Sequence, residues 1–216
     1  MEFVPNTRND IDSWKEVQLV YNSALKEIGT KLEILNDEFQ HVHQYNPIEH
    51  IKSRIKTSES IVKKLRRHGY ESTIENMVKY VNDIAGIRVI CSFTSDIYRI
   101  AEMIRLQNDI HVIAVKDYIR LPKASGYKSY HMLVTVPVFL SDRTVDVKVE
   151  IQIRTVAMDF WASLEHKINY KFEGNAPEHV KRELIECAGM VSALDNRMQE
   201  LNEEIKALSK EDTDGA

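Results

Sequence analysis

From Val145 to Arg154 the chain alternates without a break: Val145, Val147, Val149, Ile151 and Ile153 are apolar, and every residue between them is polar. A period of two is that of a β-strand with one buried face, since a helix repeats its faces every 3.6 residues. The second face then carries Asp146, Lys148, Glu150, Gln152 and Arg154 in line. A carboxylate, an amide and a guanidinium held in a row are either a solvated sheet face or one wall of a reactive surface. Shortly upstream lies Ser125-Gly126-Tyr127-Lys128-Ser129-Tyr130-His131, and loop and strand together suggest phosphate chemistry.

The short polar turn Ser141-Asp142-Arg143 joins this strand to a second alternating run, Ser129–Phe139, which predicts an antiparallel hairpin. Further strands are expected at Ile51–Lys56, Gly86–Phe93 and Ile110–Lys116, and helices at Glu59–Arg67, Ile74–Val81, Asp96–Gln107 and Val156–Lys171. On the N-terminal side, Trp14, Val17, Tyr21, Ala24, Ile28, Leu32, Leu35 and Phe39 recur at helical spacing, predicting one amphipathic helix over residues 10–44 that ends before Asn46-Pro47. On the C-terminal side, Val180, Leu184, Cys187, Val191, Leu194, Met198, Leu201, Ile205 and Leu208 follow a four-three pattern after Pro177, over residues 177–208. That stripe needs a partner surface, and either its own domain or another subunit can supply it. Lys210 to Ala216 are expected to fray. With no internal repeat and no linker rich in Pro and Gly, the 216 residues predict a single α+β domain. Its core spans residues 47–171, a mixed five-stranded sheet with packed helices, and a long helix flanks it on each side.

The net charge of −4 argues against a dedicated nucleic-acid coating protein, although local basic clusters can still hold polyphosphate. Cys91 falls on an apolar strand position and Cys187 on an apolar helix position, so both are expected to be buried thiols in a reducing cytoplasm. Met1-Glu2-Phe3-Val4-Pro5 has no basic region with an apolar run behind it, and no apolar stretch approaches the ~20 residues that span a bilayer. Export and membrane insertion are not expected.

Four constellations can carry chemistry. In an extended Ile51–Lys56, the side chains of Lys52, Arg54 and Lys56 share one side; Thr57 or Ser58 can cap the following helix, where Ser60, Lys64 and Arg67 share a face. Cations converging from a strand end and a helix can neutralise a triphosphate, and an arginine can stack on a base; a solvated charged face is the plainer alternative. Asp83 precedes Ile84-Ala85-Gly86-Ile87-Arg88, and with Glu150 it can hold Mg²⁺ through carboxylate oxygens, or it simply caps a turn. In Lys123-Ala124-Ser125-Gly126-Tyr127-Lys128-Ser129-Tyr130-His131, Gly126 allows a sharp turn, Lys123, Lys128 and His131 can face phosphate, and Tyr127 offers a face to a purine. The spacing is not that of a Walker A loop. In Ala157–His166 the aromatics suit a core, and Asp159 in the first helical turn suits the helix dipole.

The order and wording of these segments resemble the synthetase domain of the RelA/SpoT superfamily. The resemblance rests on Ser53-Arg54-Ile55-Lys56, Asp83-Ile84-Ala85-Gly86-Ile87-Arg88, Lys116-Asp117-Tyr118-Ile119, Gly126-Tyr127-Lys128-Ser129-Tyr130-His131, Glu150-Ile151-Gln152-Ile153-Arg154-Thr155 and Trp161-Ala162-Ser163-Leu164-Glu165-His166. It runs from Pro47 to Lys171. The short chain with a helix on each side is most similar to the small alarmone synthetases, closer to the RelP-type than to the RelQ-type. No His-Asp dipeptide occurs, so the hydrolase activity of the long bifunctional relatives is not expected.

The resemblance implies a nucleotidyltransferase-like fold and transfer of the β,γ-diphosphate of ATP to the 3′-hydroxyl of GDP or GTP, giving ppGpp or pppGpp and AMP. It implies that Arg54 and Arg88 sandwich adenine, and that Lys56, Ser60, Lys64 and Arg67 hold the ATP phosphates. Asp83 and Glu150 would bind Mg²⁺, and Glu150 would also orient or deprotonate the attacking hydroxyl. Tyr127 would stack on guanine, with Lys123, Lys128 and His131 near the acceptor phosphates and Gln152 and Arg154 shaping its site. Asp159 stands where some small synthetases carry Asn, and an acid there can accept hydrogen bonds from guanine N1 and N2. The family implies a homotetramer built through the terminal helices; RNA is a partner of some relatives only. The alternative of another class is a catalytically silent module that binds nucleotide or RNA with the same fold.

Overall fold

The computed structural model describes residues 8–43, 45–172 and 175–214. The alternating strand is β5, Thr144–Thr155, with Val147, Val149, Ile151 and Ile153 buried and Lys148, Glu150 and Gln152 partly exposed. It pairs antiparallel with β4, Tyr130–Phe139, across the turn in which Leu140 N donates to Arg143 O at 2.8 Å. On its other side it pairs parallel with β2, Ala85–Cys91, and β1, Ile48–Ile55, lies antiparallel beyond that. With β3, His111–Asp117, on β4, the mixed sheet has five strands in the order β1-β2-β5-β4-β3.

One face of the sheet is the core. Helix α1, Arg8–His41, lies across β1, β2, β4 and β5, and every predicted stripe residue from Trp14 to Phe39 is buried in the core or packed against it. Ile97, Ile100 and Ile104 of α4, Thr94–Arg105, join the same cluster. Side chains of this kind contribute ~1.5–3 kcal/mol each when fully buried, which explains why a long α1 is held flat on the sheet. The opposite face is polar and carries the candidate site.

The remaining helices start on hydrogen-bonding caps. Thr57 Oγ1 accepts from Ser60 N at 3.3 Å to open α2, Ser58–Arg67, and Thr73 caps α3, Ile74–Tyr80. Helix α5, Val156–Lys171, follows β5 with no loop, because Thr155 Oγ1 accepts from Met158 N at 3.1 Å. Asp96 caps α4 by accepting from Phe93 N at 3.2 Å, so that helix begins at Thr94, before the predicted start. β1 likewise begins three residues early, where its first residues still pair with β2.

Helix α6, Glu178–Asp214, departs from expectation in two ways. It is helical beyond Lys210 to Asp214, since no Pro or Gly interrupts it from Met190 to Asp214; Gly215 and Ala216, like residue 44 at the expected end of α1, lie outside the described residues. Cys187, expected to be buried, is exposed, whereas Cys91 is buried as predicted. The face of α6 that meets the domain coincides with the seam only in part: Leu184 and Val191 pack inward beside the buried Ala188 and Asp195, while Leu194, Met198, Leu201 and Leu208 are 61%, 47%, 37% and 57% exposed. Periodicity shows which residues share a face, and the polar pairing of Asp195 decides which face turns inward.

Candidate active site

Strand register lays the polar face out in two adjacent rows. Lys52, Arg88, Gln152, His131 and Lys116 form one across all five strands, and Arg54, Gly86, Glu150 and Leu133 form the next. Gly86 leaves a gap between Arg54 and Glu150, and a Cβ there would lie 4.0 Å from Arg54 Cγ. Over this gap opens a cavity of about 250 Å³, with Arg54, Asp83, Arg88, Glu150 and Gln152 in its lining. The parallel pairing of β2 with β5 is what brings Asp83, just before β2, to the same cavity as Glu150.

Asp83 receives two lysines, Lys56 Nζ on Oδ2 and Lys64 Nζ on Oδ1, both at 2.7 Å. Burial pushes its pKa up, but hydrogen bonds and charges from the two ammonium groups outweigh that and hold it below the ordinary carboxylate value. Ser60, whose Oγ accepts from Thr57 Oγ1 at 2.9 Å, lies at the N-terminus of the same helix, and Arg67 is exposed one turn beyond Lys64. Thus Lys56, just after β1, and Lys64 of α2 meet on one carboxylate.

Glu150 accepts from Gln152 Nε2 at 2.7 Å and lies 3.4 Å from His131 Nδ1. Burial raises its pKa, contacts with His131 and Gln152 lower it further than burial raises it, and the charge of Asp83 opposes them. The net shift is downward, so both carboxylates are ionised at neutral pH. Two ionised oxygen ligands at one cavity fit Mg²⁺, which leaves its other positions to water and phosphate. Among the described residues no cluster of three or more His, Cys, Asp or Glu offers a fuller protein cage. The ammonium groups on Asp83 occupy oxygens that a metal would take over.

On the β4 side, Arg154 is the organising residue, with its side chain 5% exposed. Its Nε donates to Ser129 Oγ at 3.3 Å, Nη1 to Asp159 Oδ1 at 3.0 Å, and Nη2 to both the Tyr127 hydroxyl at 2.5 Å and Gln152 Oε1 at 2.9 Å. The Tyr127 hydroxyl also lies 2.8 Å from His131 Nε2, so a continuous chain runs from Glu150 through His131 to the Tyr127 ring. Lys123 Nζ stands 4.7 Å from the Tyr127 ring centroid and 4.8 Å from that of Tyr118. Gly126, at φ 87°, makes the bend before this platform.

Asp159 holds more than the helix dipole or a guanine edge required. The same Oδ1 that receives Arg154 accepts from Arg88 Nη1 at 3.0 Å, joining the two halves of the site, while Arg88 Nε is buried with no hydrogen-bond partner. Burial and the neighbouring Arg154 lower the Arg88 pKa against the pull of Asp159. Ser129 and Tyr118 lie in segments that the sequence singles out but carried no assigned role there, and this bridge was not apparent in the sequence. The signal for the bridge was the placement of Asp159 one turn after Arg154 in a helix fused to its strand.

Lys128, expected near the acceptor phosphates, donates from its ammonium to Ser192 Oγ of α6 at 2.5 Å. Tyr127 turns toward Arg154 and His131, and in extended chain the next side chain points the opposite way.

Residues 53–175 match the family model described as the region found in RelA / SpoT proteins. The chain is 47% identical over 195 residues to GTP pyrophosphokinase YwaC of Bacillus subtilis (strain 168), covering 90% of this chain and 93% of that one. It is 38% identical over 197 residues to GTP pyrophosphokinase YjbM of the same organism, covering 91% and 92%. The crystal structure of small alarmone synthetase 1 from Bacillus subtilis bound to its product pppGpp superposes with a TM-score of 0.85 at 37% identity, over 90% of this chain and 99% of that one. The chain therefore belongs to the RelA/SpoT family, among relatives of the small alarmone synthetase kind.

Proposed function

We propose that this protein synthesises guanosine alarmones by moving the β,γ-diphosphate of ATP to the 3′-hydroxyl of GDP or GTP and releasing AMP. The observation that carries this is the opening of one cavity onto Asp83 and Glu150, with Lys56 and Lys64 on Asp83 on one side and the chain from Glu150 through His131 to Tyr127 on the other. In this reading ATP takes the first side, with Arg54 and Arg88 for adenine and Lys56, Ser60, Lys64 and Arg67 for the phosphates. The acceptor fits the second, with Tyr127 under the base, Gln152, Arg154 and Asp159 around it, and Lys123 and His131 toward its phosphates.

Diphosphoryl transfer passes through a loose transition state, so the protein contributes position and positive charge more than covalent chemistry. When bound by Asp83 and Glu150, Mg²⁺ would supply charge to the phosphate oxygens and release Lys56 and Lys64 to do the same. Glu150, fixed by Gln152 and His131, orients the acceptor hydroxyl. Its lowered pKa makes it a weak proton acceptor, since an effective general base titrates near the working pH. Orientation is therefore its main role.

The exposed seam of α6 supports assembly through terminal helices into a homotetramer, and the motif wording supports the RelP-type over the RelQ-type. None of the described helices is long and apolar enough to cross a membrane, in keeping with a cytoplasmic enzyme. The domain reading, a core of residues 47–171 between two long helices, accords with the single sheet.

Position-specific labelling tests the reaction. Label at the β-phosphate of ATP should move to the guanosine product and label at the α-phosphate should stay in AMP. Transfer of α-label to the acceptor would mean a nucleotidyltransferase, and tight nucleotide or RNA binding with no transfer would mean a silent binding module.

A further inference from the structure

Helix α6 touches each residue of the Gly126-Tyr127-Lys128 tripeptide. A Cβ on Gly126 would come within 2.5 Å of Ala188 Cβ, so the loop is seated against the helix as closely as glycine allows. Tyr127 packs against the small buried cluster of Trp161 and Ala162 of α5 and Ala188 of α6, against which Leu184 and Val191 of α6 also pack, and Trp161 Nε1 donates to Leu184 O at 3.0 Å. Lys128 donates to Ser192. One turn further along α6, the buried Asp195 accepts from Thr155 Oγ1 at 2.7 Å and feels the charge of Lys128. Thr155 directly follows Arg154, the residue that holds the Tyr127 hydroxyl. Both supports of the tyrosine, its loop and its arginine, are thus anchored to one helical segment.

We infer that the Leu184–Asp195 segment of α6 is a built-in part of the acceptor site, with Lys128, Ala188 and Asp195 as positioning residues that hold Tyr127 for the guanine base. This goes beyond a subunit contact: the segment acts inside a single chain, with Leu184 and Val191 packed inward beside Ala188, while the stripe from Leu194 to Leu208 is exposed. Lys128 serves the acceptor without touching it. The contacts of this segment fall on the loop and strand of the acceptor side, so disturbing it should weaken one substrate and spare the other.

The inference rests on the acceptor reading given above, and the two fail differently. Full-length Lys128→Met, Lys128→Arg, Ala188→Leu and Asp195→Asn proteins are compared with the parent for KM of GDP, KM of ATP and kcat, with thermal melting as a check on folding. The parent making no 3′-diphosphorylated guanosine would remove the acceptor reading itself. With an active parent, Lys128→Met and Ala188→Leu should raise KM for GDP at least about fivefold while KM for ATP stays within about twofold. Lys128→Arg should recover most of the loss, because it restores a cation opposite Ser192 and Asp195. If Ala188→Leu does not fold, Lys128→Met and Asp195→Asn, which change little volume, decide the matter. A KM for GDP within about twofold of the parent in every folded variant overturns the inference, and so does a parallel rise in both KM values.

Discussion

Asp83 holds two ammonium groups that the proposed reaction needs elsewhere, and its removal has a calculable cost. The side chains of Asp83, Lys56 and Lys64 are 19%, 18% and 32% exposed. Asp83→Asn leaves the two lysines facing each other across a neutral amide. Breaking a fully buried pair costs about 3–5 kcal/mol, and partial solvent screening lowers that here to about 1–3 kcal/mol. At ~2–4 °C of Tm per kcal/mol for a chain of this size, the central value of about 2 kcal/mol predicts a drop of about 4–8 °C. The same change should strengthen metal-free binding of inorganic tripolyphosphate, since the lysines no longer have to leave a carboxylate to meet it. Thermal melts in EDTA, with and without tripolyphosphate, read both effects. An unchanged Tm together with an unchanged tripolyphosphate shift would refute the charge exchange at Asp83.

Glu150→Gln should fold, keep the thermal shift caused by ATP, and lose at least about 100-fold in kcat; turnover within tenfold of the parent would remove Glu150 from the mechanism. Tyr127→Ala should weaken GDP binding about 5- to 150-fold, from a stacking contribution of ~1–3 kcal/mol, and calorimetry showing ATP weakened equally would contradict the division of the site. Both Asp83 and Glu150 have folded pKa values below their unfolded ones of about 3.9 and 4.3. Their stabilisation is therefore complete above those unfolded values and is lost as the pH falls through the lower folded values, below about pH 4. In melts across pH, the gap between the parent and Asp83→Asn should narrow under acid conditions; a gap that widens there would reverse the sign of the argument.

The sheet was legible because its signals are local. The alternation of β5, the polar turn at Ser141-Asp142-Arg143 and the stripe of α1 each depend on the geometry of one segment. Part of the arrangement was legible: parallel pairing of β2 and β5 brings Asp83, Arg88 and Glu150 to one cavity, and Lys56 and Lys64 meet on Asp83. What escaped depends on contacts between distant segments. Lys128 looks like one more phosphate cation until Ser192, 64 residues away, takes its ammonium. Cys187 looks buried until Asp195 finds Thr155 and turns a different face of α6 inward. The double use of Asp159 Oδ1 follows from where two arginines on neighbouring strands end, a distance no periodicity encodes.

Product analysis reads the diphosphate transfer itself. The purified protein is incubated with ATP, Mg²⁺ and either GDP or GTP, and the nucleotides are separated by anion exchange over time. AMP and 3′-diphosphorylated guanosine should appear in equal amounts and only with the metal present. ADP in place of AMP, or AMP with no modified guanosine, would contradict the transfer of a diphosphate to the acceptor.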